Sequence, residues 1–101
     1  MSEKFAAKEY RQGKEVLFAA CDEECLGETY QEGELKLQVD PGFYDGDRIE
    51  RPTFAAMLQR ATVANFVGER TVALAVELGF VNQSNVIRID GVPHAQWAVM
   101  L

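Results

Sequence analysis

Residues 52–79, PTFAAMLQRATVANFVGERTVALAVELG, hold the reading on which the fold turns. Phe54, Leu58, Ala61 and Asn65 recur at helical spacing, and Pro52 suits a first helical turn, where a missing N–H costs nothing. A second helix is expected from Phe66 or Glu69 to Leu78, with Val72, Ala75, Val76 and Leu78 inward and Gly79 as its stop. ANFVGER then joins two helices: Asn65 punctuates by capping, and Gly68 by allowing close packing.

Both flanks of this stretch read as strands. Upstream, residues Lys4 to Tyr10 and the apolar run Val16 to Cys21 form a hairpin about the turn Arg11-Gln12-Gly13-Lys14, and the second strand, apolar on both faces, is central. Asp22 caps a short helical turn that Gly27 ends, and GELKLQVD alternates as a strand with one wet face. DPGFYDGD, with Pro41, Gly42 and Gly46 among aspartates, reads as a loop without helix or strand. Downstream, Val86 to Ile89 and Ala95 to Leu101 are strands joined around Asp90-Gly91-Val92-Pro93, with Ala95, Trp97, Val99 and Leu101 on one face. The order strands, two helices, strands predicts an α+β fold, two helices packed on one face of a mostly antiparallel sheet. With no repeat or linker, residues 1–101 read as a single domain.

Composition bounds the function. An apolar fraction of 48% with 26% charged residues is that of an ordinary globular chain that needs no staple. The N-terminus lacks the apolar run of a secretory signal or membrane span, which predicts a cytoplasmic protein with Cys21 and Cys25 as free thiols. A net charge of −6 repels phosphate backbones and disfavours generic nucleic-acid binding. Lys4, Lys8, Arg11 and Lys14 cluster in the first hairpin, where the plain reading is an edge strand guarded by lysines.

Four constellations carry conceivable chemistry. Cys21, Cys25 and His94, with Asp22 or Glu24, supply zinc-ligand types, but structural zinc sites come as two paired motifs and only one pair is present. Cys21 with His94 as base and Asp90 or Asp22 as orienter has the residue types of a thiol nucleophile and nothing more. Asp40 to Glu50 lacks the register of a calcium loop. ANFVGERT offers backbone amides and the Arg70 guanidinium, beside Asn65, Gly68 and Thr71, to an anion. His94, between Pro93 and a strand, reads as a half-buried hydrogen-bonded residue before it reads as a catalyst.

Taken in order, ACDEECLG, EGELKLQV, FYDGD, ATVANFVGER, LGFV and IDGVPHAQ resemble the archaeal family known as domain of unknown function family 424, along nearly the whole chain. The resemblance marks Cys21, Asp22, Gly27, Gly33, Tyr44, Gly46, Asn65, Gly68, Gly91, Pro93, His94 and Gln96 as positions of the family pattern, and Cys25 as a departure from it. It brings no cofactor, metal or catalytic residue, and suggests a setting in translation. The expected function is a non-catalytic binding module for a protein or ribonucleoprotein partner, with candidate binding residues Cys21, Asp22, Tyr44, Asn65, Gly68, Arg70, His94 and Gln96. The alternative is a small enzyme or ligand-binding protein with a polar pocket around His94, Asn65 and Cys21.

Overall fold

A computed structural model describes residues 3–99. Its main sheet has six strands in the order β5-β1-β2-β6-β8-β7, formed by β1 (Phe5–Gln12), β2 (Glu15–Cys21), β5 (Asp47–Ile49), β6 (Val63–Val67), β7 (Ile87–Ile89) and β8 (Val92–Ala98). A separate hairpin pairs β3 (Thr29–Glu32) with β4 (Leu35–Gln38). Among the described residues there are three α-helices, α1 (Pro41–Tyr44), α2 (Arg51–Arg60) and α3 (Glu69–Glu77), and two short 3-10 turns, Glu23–Cys25 and Gln83–Asn85. Every sheet pairing is antiparallel except that of β2 with β6. The α+β architecture with two helices on one face is as the sequence predicts, with one parallel pair inside it.

The decisive stretch departs from its reading. Val63–Val67 is a strand, paired on both sides to β2 and β8. A strand buried on both faces is nearly continuous in apolar residues, so it satisfies a helical template as well as its own period of two. Ala64 and Phe66 point to the helix side and Val67 to the other, all three fully buried. Asn65 is therefore a mid-strand residue and caps nothing. The helices do not form one block: α2 precedes β6 and α3 follows it.

Smaller corrections have equally local causes. DPGFYDGD contains both a helical turn and a strand: the Asp40 carboxylate accepts from the Gly42 amide (2.9 Å) at the start of α1, and Asp47–Ile49 pairs with β1. The β3 strand was not anticipated. Val92, Pro93 and His94 lie within β8, because the turn is only Asp90-Gly91, both at positive φ (53° and 80°). Pro93 fits there because its carbonyl accepts from Gly68 N–H (2.9 Å) and no ladder bond needs its missing donor. Ala95 and Trp97 share the helix side as expected; Leu101 lies outside the described residues.

The two faces of the sheet carry different cores. On one, Phe5, Phe18, Phe54 and Phe66 pack as a ring cluster with Leu58, Val72 and Ala75 from α2 and α3. On the other, Ala6, Ala19, Cys21 and Val67 meet Cys25, Leu37, Val39 and Tyr44 from the turn after β2, from α1 and from the β3–β4 hairpin. This second cover reaches only part of the face.

Candidate functional site

Asp22 leaves the end of β2, its N–H donating to Val67 O (3.0 Å), and its carboxylate turns to the start of α3. Oδ1 accepts from the Thr71 amide and hydroxyl, each at 2.8 Å, and Oδ2 from the Arg70 amide at 3.1 Å. Arg70 Nε stands 3.7 Å away and its Nη2 reaches Glu24 at 2.8 Å. The expected cap on the short turn Glu23–Cys25 is not made; Asp22 caps a helix 48 residues on instead, where the helix dipole favours a negative charge. Gly68 makes this approach feasible: a Cβ there would fall 2.7 Å from Asp22 Cβ and Oδ2, and its φ of 107° suits glycine alone. Cys21, Asp22, Gly68 and Arg70 thus gather at one end of the sheet. The Arg70 and Thr71 amides that would greet an external anion already bind the chain's own carboxylate.

Cys21 is fully buried and Cys25 nearly so, both as free thiols. Burial above all, with Cys25 and Asp22 beside it, pushes the Cys21 thiol up to about 12. Burial also raises Cys25, partly offset by a hydrogen bond with Tyr30. Tyr44, packed in the same cluster, is pushed up to about 12 by burial and by Cys21. These groups stay protonated at neutral pH, and a protonated thiol is a poor nucleophile and metal ligand. Among the described residues, no three His, Cys, Asp or Glu side chains are placed to hold a metal ion.

His94, Asn65 and Gln96 occupy the same face of the sheet as Cys21. Register sets Cys21 opposite Val67 and Val67 opposite His94, so the fully buried Val67 stands between thiol and imidazole, whose backbones lie about 10 Å apart across two strand spacings. His94 Nδ1 pairs with Phe66 O at 3.0 Å, and burial lowers the ring below its ordinary value against the pull of that carbonyl. Asn65 and Gln96 face each other directly across β6 and β8. With Val63, Trp97 and Ala98 they border a shallow open depression of about 320 Å³, and a second one adjoins it, lined by Asn85, Ile87, His94, Ala95 and Gln96. Val63, Ile87 and Ala98 were not flagged by the sequence; an uncharged strand end beside Gln96 was the available signal.

The arginine charge is consumed internally. All six arginines, Arg11, Arg48, Arg51, Arg60, Arg70 and Arg88, form ion pairs with Asp or Glu. Lys8 lies 5.4 Å over the Tyr10 ring and donates to Gly42 O (3.3 Å).

A family model described as Protein of unknown function (DUF424) matches residues 10–100. The fold is similar to the crystal structure of an uncharacterized conserved protein from Methanopyrus kandleri, with a TM-score of 0.78 and 24% identity, over 92% of this chain and 89% of that one. No curated protein matches the sequence. The family match spans nine-tenths of the chain, from the end of β1 onward, and the chain belongs to the DUF424 family.

Proposed function

We propose that the protein is a small, non-catalytic, cytoplasmic binding module whose partner is a protein, alone or within a ribonucleoprotein. One observation carries this reading: the second face of the sheet is covered only in part, and its bare portion presents the Asn65 and Gln96 amides side by side with no protein hydrogen-bond partner among the described residues. Two primary amides on a flat, open surface suit a partner with its own donors and acceptors, and the depression is too shallow to enclose a small substrate. The thiol and imidazole that would serve a small enzyme with a pocket around His94, Asn65 and Cys21 do not share an opening. Paired arginines and net negative charge favour protein over nucleic acid at the contact. No helix among the described residues is long and apolar enough to cross a membrane. A setting in translation rests on the family resemblance alone.

The test is photo-crosslinking in cells with benzoylphenylalanine at Ala98, beside the Asn65–Gln96 pair, and, as control, at Gln59 on the exposed side of α2. A discrete ribonuclease-resistant adduct from position 98 alone is expected. No adduct, or equal adducts from both, would remove the basis of the reading.

A further inference from the structure

We infer that the partner docks by adding an extended peptide strand to the outer edge of β8, against the backbone of Gln96 and Ala98. The inference deepens the proposed function and rests on it.

The register defines the edge. Gly68 N–H donates to Pro93 O and Val99 N–H to Thr62 O, both at 2.9 Å, so the odd-numbered residues of β8 turn their backbone groups to β6. The even-numbered ones turn theirs outward, because adjacent residues of an antiparallel strand alternate sides. Val92 and His94 meet β7 there, opposite Ile89 and Ile87. β7 goes no further, and Gln96 and Ala98, both exposed, keep two N–H and two C=O groups without a partner strand among the described residues. Four such groups, spaced two residues apart along one line, are complementary to one thing, another extended backbone.

The sheet guards its other unfinished edge and leaves this one bare. On β1, β5 pairs only Phe5 to Ala7; beyond them stand Lys8, Glu9 and Arg11, and α1 is tied on by Tyr10 hydroxyl to Phe43 O (2.7 Å). From Ala95 to Val99 no charge, proline or bulge protects β8, the devices by which edge strands avoid partners.

A second copy fits poorly. Two-fold pairing about Trp97 would match Gln96 with Ala98 of the other copy but bring its Val99 opposite Ala95, beside Asn85 and one place from Ile87, which already pairs with His94. Each copy would also bring a net charge of −6. That charge complements a different occupant: an uncharged pairing stretch of a partner protein, flanked by basic residues.

The probe is a displayed library of random twelve-residue peptides selected on the full chain. A recovered peptide is expected to slow amide exchange at Gln96 and Ala98, and N-methylation of alternate peptide residues should abolish binding while methylation of the intervening ones leaves it. Ala98→Pro, which deletes an outward N–H and no ladder bond to β6, should weaken binding about tenfold. Peptides that protect other amides, a methylation pattern without alternation, or no binding peptide would each overturn the inference, as would concentration-dependent dimers with the same amides protected. If cross-links from Ala98 persist in that event, the binding module stands and only strand addition falls.

Discussion

The two faces of the main sheet are built by opposite rules. On the helix side, four phenylalanines at 0% exposure interlock with α2 and α3, and no titratable side chain enters the cluster. On the other side the sheet offers alanines, a cysteine and valines to a thin cover that brings further cysteine and tyrosine, then runs bare at Asn65 and Gln96. Aromatic packing fills the first face from end to end, while the second holds a smaller core under its cover that stops short of Asn65 and Gln96. The stretch beyond that cover is available for contact.

The contrast breaks first if the helix side proves dispensable. Phe54→Ala should cost about 3–5 kcal/mol in urea unfolding, since Phe5, Phe18 and Phe66 all lean on that ring. Gly68→Ala should cost roughly 2–4 kcal/mol, through positive-φ strain and collision with Asp22, and a melt unchanged from the parent would contradict the approach described. Asp22→Asn keeps an acceptor for Thr71 but turns an N–H toward the Arg70 amide; a loss of about 1–3 kcal/mol and faster amide exchange in the first turn of α3 are expected.

Proton uptake sharpens the comparison, because the buried groups whose titration the fold shifts, Cys21, Tyr44 and His94, lie on the second face. Cys21 and Tyr44 have raised values in the fold, so their contribution is intact below the unfolded thiol value of about 9 and is lost as pH rises toward 12. His94 is lowered in the fold, so the unfolded chain takes up its proton first, and stability falls as pH drops below about 6.5. Each slope is at most about 1.4 kcal/mol per pH unit. Denaturant midpoints measured across pH should flatten on the alkaline side in Cys21→Ala and on the acid side in His94→Gln. The smallest effect belongs to the bare patch: Asn65→Ala with Gln96→Ala should move stability by no more than about 0.5 kcal/mol while suppressing the cross-link from a probe at the adjoining Ala98.

Local signals were legible where local chemistry decides. The first hairpin, α3 with its Gly79 stop and the second hairpin follow from alternation, turn residues and helical period. β6 was not, because a central strand obeys no polarity pattern; only its neighbours β2 and β8 distinguish it from a helix, and both pairings are tertiary facts. The same gap hid the site. Asn65 and Gln96 were each marked, but their adjacency requires β6 to be a strand. Asp22, Gly68 and Arg70 were marked too, and nothing in the intervening residues announces that the carboxylate of one caps the helix begun by the others.

The parallel pairing of β2 with β6 sets a schedule for folding. The Val16 amide reaches the Thr62 hydroxyl over a separation of 46 residues, whereas β1 and β2 meet across a two-residue turn. Closing so long a loop costs entropy before the pairing rewards it, so the β2–β6 pairing is expected to form after the local contacts of the first hairpin. During synthesis the inner edge of β2 stays open until residue 67 has left the ribosome, and the chain depends for that interval on whatever shields a nascent apolar strand.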